Sequence, residues 1–323
     1  MNTSGVPKIL MTSLSSKIAL YDSVLRQAKM FNPNASVIAA DSNPNCPGVD
    51  YVKYFRILPR LDILSAEELL NILGNWRITH VMPTRDDELQ YWAQIAPLLL
   101  KNQVAVLLSS CDAINVCKDK LSFPEKITIS GLKHIPSLLS PNQSNYPKWV
   151  IKERYGSGSR GVGTNLSKND AVNLALSLEE PIFQPYIEGK EFTAEGWINR
   201  DGECMAVLLR WRDKVVNGES FVSTTFRNTD WENKIKTLFS SINGLKGHCL
   251  GQFIVDHDEN LNLVEINPRL GGASPLSLSS GLNSILWSLR EESGKQFSDS
   301  DFQPLFETKL TKLNGQVFIS YPN

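Results

Sequence analysis

Two short apolar runs separated by a polar stretch constrain the fold of this chain most strongly. The runs cover residues 251–256 and 263–269, and residues 257–260 between them carry the polar pattern of a hairpin turn. A turn centred in this stretch places Gln252 opposite Glu265. The sequence therefore predicts an antiparallel hairpin with a polar pair on one face.

The polar face of this hairpin has the composition of a cation site. Side chains alternate along a strand, so Asn267 shares the face of Glu265, whereas Val264 and Ile266 point into a core. Magnesium prefers hard oxygen ligands, and one carboxylate with two amide oxygens is a plausible protein share of its octahedron. Taken alone, the segment fits either a magnesium–triphosphate site or a surface hairpin that ends in Asn-Pro.

Composition indicates an ordinary globular protein. The 323 residues are 41% hydrophobic and 21% charged, with a formal net charge of −1, which predicts two or three domains and neither nucleic-acid nor membrane partners. The five cysteines form an odd set without paired metal spacing and are interpreted as reduced thiols. The start of the chain has no signal-peptide pattern and no apolar run is long enough to span a membrane, so we expect a cytoplasmic protein.

The first hundred residues alternate between strand and helix patterns. Apolar runs at 8–11 and 35–40 flank an amphipathic segment at 18–31, which is the βαβ pattern of a parallel sheet. Further segments of the same kind cover residues 79–83, 86–100 and 104–108. No Gly-x-Gly-x-x-Gly turn follows the first strand, so a dinucleotide site is not expected.

The later part of the chain is richer in strands and predicts an α+β domain. Residues 213–220 are interpreted either as a loop that closes over substrate or as a turn. Residues 274–290 predict one amphipathic helix capped by Ser274-Pro275.

A second cluster combines a buried-type lysine with a glycine-rich loop. The strand that begins at Trp149 carries Lys152, and the loop that follows has four glycines within residues 156–163. Backbone amides of such a loop approach phosphate oxygens closely, although a flexible hairpin tip has the same composition. The lysine precedes the loop, so this is not a Walker motif. Because Lys152 lies in an apolar strand and needs an anionic partner, phosphate binding is favoured.

A third cluster, residues 181–193, passes from an apolar strand through a glycine turn into a strand that bears Glu191. Backbone groups of such a hinge can meet the polar edge of adenine, and the acidic residue can accept the ribose hydroxyls. A plain surface hairpin has the same pattern, and on this segment alone it is the favoured interpretation.

The order of these clusters resembles the ATP-grasp superfamily, in the branch similar to carbamoyl phosphate synthetase and to carboxylate–amine ligases. The matching elements occur in the family's order over residues 117–272: Asp119-Lys120, the strand and loop 151–163, the hinge 184–191, the pair Gln252 and Glu265, and the segment 265–269. Residues 83–88 resemble a segment of the family's preceding domain.

The resemblance implies a fold of mixed α/β and α+β class. It implies an N-terminal parallel α/β (pre-ATP-grasp) domain at 1–108, a small subdomain with a glycine-rich flap at 109–187, and a C-terminal α+β nucleotide-binding subdomain with the metal site at 188–323.

The resemblance also implies roles for individual residues. Lys120, preferred over Lys118 because it follows Asp119, would contact the ATP phosphates together with Lys152. The flap that covers them would include Gly156, Ser157, Gly158, Ser159, Gly161 and Val162. Adenine would meet Gln184 and the backbone at Tyr186 and Ile187, and the ribose would meet Glu191. Gln252, Glu265 and Asn267 would be the metal ligands. Gln252 stands at a position that is often acidic in relatives, so the number of metal ions, one or two, is left open.

The implied activity is an ATP-dependent carboxylate–amine ligase that forms an amide or peptide bond through an acyl phosphate and releases ADP and phosphate. Lys152 and Arg269 would be the catalytic cations, because both the attacking carboxylate and the phosphoryl group are anionic. The substrate carboxylate would meet Arg210, Arg269 or Arg85. Expected cofactors are ATP and Mg²⁺, with Mn²⁺ as a substitute, and expected partners are small-molecule carboxylates and amines, with a homodimer as a family expectation. The alternatives are a noncatalytic ATP-binding regulator on the same fold, and a ligase that uses ammonia or a thiol as acceptor.

Overall fold

The computed structural model describes residues 5–123, 131–156, 158, 161–313 and 315–322. The strands are β1 Lys8–Met11, β2 Ser36–Asp41, β3 Phe55–Ile57, β4 His80–Met82, β5 Ala105–Val106, β6 Leu132–His134, β7 Trp149–Glu153, β8 Gly163–Leu166, β9 Pro181–Pro185, β10 Gly189–Ile198, β11 Cys204–Val216, β12 Glu219–Phe226, β13 Gly247–Asp256, β14 Leu261–Asn267, β15 Lys309–Leu313 and β16 Gln316–Ser320. The α-helices are α1 Ile18–Phe31, α2 Ala66–Asn75, α3 Asp86–Lys101, α4 Cys111–Lys118, α5 Lys168–Ala175, α6 Thr229–Ser240, α7 Ser274–Ser279 and α8 Ser284–Glu292.

The first strands form a parallel sheet in the order β3-β2-β1-β4-β5. This confirms the predicted βαβ pattern, and the bounds of β1 and α1 are those that the sequence predicted. The chain leaves β1 towards β2 and later returns to the other side of β1 as β4. Loops after β1 and β4 therefore flank the point where the strand order reverses, which in open α/β sheets is where ligands bind.

The largest sheet has the order β16-β15-β12-β11-β10-β13-β14-β6. Its neighbours are antiparallel except for β6, which runs parallel to β14. On one face Phe192 stacks on Phe253 with a centroid distance of 5.0 Å, and both pack with Phe239 of α6. Because side chains alternate, the neighbours Glu191 and Thr193 of β10 lie on the opposite face, where the polar residues collect.

A small antiparallel sheet, β8-β7-β9, carries the glycine-rich segment. Trp149 and Ile151 of β7 pack with Phe183 of β9 and Ala171 of α5 in a core of their own. The alternation that buries these two side chains against α5 directs Lys152 to the other face of the sheet.

One sequence prediction about the C-terminal half was wrong, and a second, the turn alternative for residues 213–220, was confirmed at two residues. Residues 274–290 form the two helices α7 and α8 instead of one, because Gly281 breaks the helix at a φ of 100°, and Ala273 rather than Ser274 is the N-cap of α7. A Cβ atom on Gly281 would lie 2.4 Å from the Gln303 carbonyl oxygen, so the chain needs glycine at this break. The segment 213–220 is mostly strand, and only Asn217 and Gly218, both with positive φ, form the turn of a two-residue hairpin.

The N-terminal sheet shares a core with the C-terminal helices, in which Val24 and Leu20 of α1 pack with Leu278 and Ile285. The boundaries predicted at 108/109 and 187/188 stay a prediction, and β6 belongs to the large sheet although it precedes the second boundary. Within the described residues, no helix combines the length and apolar character needed to cross a membrane.

Candidate nucleotide and metal site

The β13–β14 hairpin brings the three predicted metal ligands together. Gln252 pairs with Glu265 across the two strands, and Leu250 pairs with Asn267, which confirms the predicted register at these positions. The Asn267 side-chain amide donates a hydrogen bond of 2.9 Å to Glu265 Oε1. Because that bond uses the nitrogen of Asn267, its oxygen is the atom that a cation would meet.

A bulge in β14 changes the expected alternation beside this site. Phe253 pairs with Leu263, so Val264 is the extra residue between the pairs that Phe253 and Gln252 make. Leu263 and Ile266 are both buried in the core, whereas Val264 is only half-buried. The prediction that Val264 points into the core was therefore wrong, and that for Ile266 is confirmed.

Lys152 is buried, with 7% of its surface exposed, and it lies near Glu265 and Lys120. Burial lowers the pKa of Lys152 to about 8, Glu265 opposes this shift, and Lys120 adds to it. Lys120 Nζ donates a hydrogen bond of 2.6 Å to the Gly156 carbonyl at the start of the flap. Lys120 and Gly156 line a small cavity with Glu265 and Asn267, and Lys118 also reaches it.

The base of the flap is fixed by an ion pair that the sequence did not reveal. Arg154 donates to both carboxylate oxygens of Asp119, with distances of 2.7 Å from Nε and from Nη2. These hydrogen bonds hold the pKa of Asp119 well below its usual range, and burial opposes them. Asp119, which marked the resemblance only by its position before Lys120, thus ties the loop of that lysine to the flap.

The flap contributes Gly156, Gly158, Gly161 and Val162 to the described structure, and Ser157 and Ser159 lie outside the described residues. Gly158 and Gly161 have φ values of 65° and 67°. This left-handed backbone is accessible to glycine without the strain that a Cβ atom would cause.

The predicted hinge follows β9. Gln184 is buried, and its amide donates a hydrogen bond of 2.8 Å to Ser137 Oγ. The Tyr186 N–H donates to the Lys148 carbonyl at 3.0 Å. An adenine contact at Tyr186 would therefore use its carbonyl oxygen, and the adjacent Ile187 is half-buried.

Glu191, the predicted ribose ligand, forms an ion pair with a second buried cation. Arg212 Nε donates to Glu191 Oε2 at 2.9 Å, and Arg212 Nη2 donates to the Gly218 carbonyl at 2.8 Å. Burial lowers the pKa of Arg212, and Glu191 opposes that shift. Arg212 thus links the hinge strand to the tip of the β11–β12 hairpin.

Arg210 and Arg85 have protein partners of their own. Arg210 is 3% exposed and donates from Nε to Glu195 Oε1 at 2.9 Å, and His248 Nε2 lies 3.1 Å from the other oxygen of this carboxylate. Burial raises the pKa of Glu195, but Arg210 and His248 outweigh it and lower the pKa to about 2. Arg85 is exposed and pairs with Asp87 at 3.0 Å. The substrate roles of both arginines stay predictions.

Arg269 reaches back to the N-terminal sheet. Its Nε donates to Asp86 Oδ1 at 2.6 Å, its Nη2 donates to Asp86 Oδ2, and its Nη1 donates to the Leu270 carbonyl at 3.0 Å. Burial lowers the pKa of Arg269, but Asp86 outweighs it and raises the pKa above its ordinary value. Asp86 was not predicted as a site residue, although it begins a helix at the ligand-binding edge of a parallel sheet.

Glu265 is surrounded by cations. Burial lowers the pKa values of Lys152, Arg212 and Arg269, and the Glu265 carboxylate opposes this in all three. Arg212 and Arg269 also have carboxylates of their own, Glu191 and Asp86, so Lys152 is the cation whose charge favours an anionic ligand. Among the described residues, no cluster of three His, Cys, Asp or Glu side chains could hold a metal ion, so a cation here would depend on the amides of Gln252 and Asn267. These hard oxygen donors fit magnesium.

Residues 117–273 match the ATP-grasp domain family. This segment belongs to the ATP-grasp superfamily. This match has nearly the bounds of the resemblance predicted from the motifs, and it covers both the flap and the metal hairpin. None of the curated proteins matches the chain.

Solved structures show that the whole chain has the ATP-grasp fold. The biotin carboxylase domain of Hydrogenobacter thermophilus 2-oxoglutarate carboxylase, in complex with MgADP and bicarbonate, matches with a TM-score of 0.72 and 17% identity over 94% of this chain and 74% of that one. N5-carboxyaminoimidazole synthetase from Staphylococcus aureus with ADP has a TM-score of 0.70 and 16% identity, over 95% of this chain and 82% of its own. L-amino acid ligase from Bacillus licheniformis has a TM-score of 0.68 and 14% identity, over 94% of this chain and 78% of its own.

Proposed function

We propose that this protein is an ATP- and magnesium-dependent ligase that joins a small-molecule carboxylate to an amine through an acyl phosphate. The observation that carries the proposal is the buried Lys152 near Glu265. Lys152 is 7% exposed and makes no ion pair within the described residues, whereas Arg212 and Arg269 already pair with Glu191 and Asp86, so the charge left without a partner is that of Lys152. A nucleotide triphosphate supplies the missing negative charge.

The residues have distinct roles in this proposal. Lys120 and Lys152 hold the ATP phosphates, and the flap residues Gly156, Gly158, Gly161 and Val162 cover them, with Ser157 and Ser159 as further flap contacts. Gln184, Tyr186 and Ile187 bind adenine, and Glu191 binds the ribose. Magnesium bound at Gln252, Glu265 and Asn267 would supply positive charge beside the phosphates, with Mn²⁺ as a substitute.

The chemistry follows from the charges of the reactants. The substrate carboxylate and the terminal phosphoryl group repel each other, so Lys152 and Arg269 must neutralise the charge that spreads over the transferring oxygens. The carboxylate oxygen forms a bond to phosphorus as the bond to ADP breaks. The amine then attacks the acyl carbon, loses a proton and displaces phosphate. A closed flap limits loss of the acyl phosphate to water.

An amino acid or related metabolite is the proposed carboxylate. An L-amino acid ligase and an N5-carboxyaminoimidazole synthetase are among the similar folds, which supports a small-molecule ligase and an amino acid as substrate. Arg269, Arg210 and Arg85 are the proposed ligands of the substrate carboxylate. We further propose a cytoplasmic protein that can form a homodimer, with domains at 1–108, 109–187 and 188–323.

The proposal is tested by incubation of the protein with ATP, magnesium and pooled small carboxylates and amines. We expect ADP release that requires both a carboxylate and an amine. Omission of either pool should reduce ADP release to background, and replacement of the amine by ammonia or by a thiol identifies the acceptor class. ATP binding without turnover across the whole panel would favour the noncatalytic regulator instead.

Two variants make this assay specific to the proposed site. Glu265→Gln keeps the size of the side chain and removes its charge, and we expect it to lower turnover by about 100-fold or more. Glu259→Gln lies in the exposed turn of the same hairpin and should leave turnover unchanged.

A further inference from the structure

Asp86 and Arg269 form a bidentate ion pair across 183 positions of the sequence. Asp86 is the first residue of α3 in the N-terminal unit, and Arg269 follows the metal strand β14. Both side chains are only 18% exposed. Planar, two-bond pairs of this kind fix the orientation of a guanidinium group as well as its position.

The pair leaves a defined part of the Arg269 guanidinium free for another anion. A guanidinium has five N–H groups, of which two go to Asp86 and one goes to the Leu270 carbonyl. One N–H on Nη1 and one on Nη2 then remain. Both groups lie in the guanidinium plane and are free to donate to the oxygens of a phosphoryl group.

Asp86 also lies at the right place in the cavity. It lines the same small cavity as Lys120, Gly156, Glu265 and Asn267, the residues proposed for the phosphates and the metal. The carboxylate itself is used by Arg269, so its contribution to an anion in this cavity is indirect. It fixes the guanidinium of Arg269, the residue directly after Pro268, which lines this cavity.

We propose that Asp86 is a positioning residue, which holds the guanidinium of Arg269 so that its two remaining N–H groups meet the transferred phosphoryl group. The inference rests on the proposed function of the site. It makes phosphoryl transfer depend on the seating of the N-terminal unit against the metal hairpin, because the two halves of the pair come from these two units.

The test compares the binding of ADP with that of ADP plus beryllium fluoride, which mimics the terminal phosphoryl group, both with magnesium. Wild-type protein should bind the second combination more tightly. In Asp86→Asn we expect about ten- to 100-fold of this gain to be lost, with the affinity for ADP alone unchanged. Asp112→Asn removes an exposed charge from the first turn of the neighbouring helix α4 and should keep the full gain.

Two further variants separate positioning from folding. Arg269→Lys keeps the charge and leaves Asp86 and its helix intact, but a lysine cannot form the planar pair, so it should lose the gain as well. The double variant Asp86→Asn/Arg269→Lys should be no weaker than Arg269→Lys alone. An Asp86→Asn protein that retains the gain, losses that add in the double variant, or a wild type without any gain would each overturn the inference.

This measurement uses no carboxylate and no amine. A protein without ligase activity can therefore still show the gain in the wild type and its loss in Asp86→Asn. That result would contradict the proposed reaction and support the role of Asp86, so the two failures are distinguishable.

Discussion

Lys152 is a buried cation whose burial is best explained by an anionic ligand. An ammonium group in an apolar strand loses hydration, and burial accordingly lowers its pKa to about 8. Glu265 offsets part of that cost, and the neighbouring Arg212 and Arg269 have their own carboxylate partners, Glu191 and Asp86. A bound triphosphate would complete the neutralisation and so compensate the cost of burying this ammonium group.

A pH dependence of nucleotide binding follows from this pKa. The Lys152 charge is present at pH 7 and is lost as the pH rises through 8, so affinity should fall as the solution becomes more alkaline. We expect ATP affinity, measured by calorimetry with magnesium, to drop by about tenfold between pH 7 and pH 9.5. Lys152→Arg, which stays charged, should show a nearly flat profile. A wild-type affinity that is constant over this range would contradict the assignment.

The sequence indicated Lys152, Glu265 and Asn267 because their residue types stand in unusual local patterns. It did not indicate the partners of Arg269 and Arg212, because such pairings join segments that only the fold brings together. The same limit applies to Arg210, for which burial beside Glu195 is a property of two neighbouring strands.

At the scale of elements, the register of the β13–β14 hairpin was predicted correctly at the site although the position of the turn was not. Next to the turn, Val255 pairs with Leu261, so the turn is centred slightly earlier than predicted. The bulge at Val264 then adds one residue to β14 and restores the expected pairing of Gln252 with Glu265. Bulges leave little trace in a hydrophobic pattern, so the agreement at the site depended on two deviations that cancel.

The strand β4 carries a buried histidine that makes the N-terminal sheet sensitive to acid. Burial lowers the pKa of His80 to about 4, below its ordinary value of 6.5. The unfolded chain therefore binds a proton that the folded chain resists. The contribution of neutral His80 to the free energy of unfolding is fully present above about pH 6.5. It is lost as the pH falls towards 4, by up to about 3 kcal/mol.

This prediction is checked by chemical unfolding at pH 7 and pH 4.5 for the wild type and for His80→Leu. The other titrating groups are the same in both proteins, so the difference between their two pH effects isolates His80. We expect the loss of unfolding free energy on acidification to be about 2–3 kcal/mol smaller in the variant. Equal losses in both proteins would show that His80 is not held neutral by the fold.

At the scale of the whole molecule, Gln27 joins the first helix to the last ones. Its amide is fully buried, donates to the Leu278 carbonyl at 3.2 Å, and accepts from the Ile285 N–H at 3.0 Å. These bonds satisfy backbone groups at the break between α7 and α8. Sequence patterns predicted one continuous helix here, because they did not reveal that polar groups on both sides of the Gly281 break are met by a partner more than 250 positions away.

We expect Gln27→Leu to lower the free energy of unfolding by about 1–3 kcal/mol, because it leaves buried backbone groups without partners. Lys29→Leu on the exposed side of the same helix is the matched control, and its effect should stay within about 0.5 kcal/mol. Denaturant unfolding measures both. Equal effects of the two substitutions would mean that the Gln27 hydrogen bonds do not stabilise the packing of α1 against α7 and α8.

Capture with hydroxylamine tests whether a carboxylate is activated as an acyl phosphate between the flap and the β13–β14 hairpin. The protein is incubated with ATP, magnesium and pooled carboxylates, and hydroxylamine replaces the amine. We expect a hydroxamate that requires ATP and a carboxylate and falls by about 100-fold or more in Glu265→Gln. ADP release that requires a carboxylate but yields no hydroxamate, or equal hydroxamate from wild type and Glu265→Gln, would contradict it.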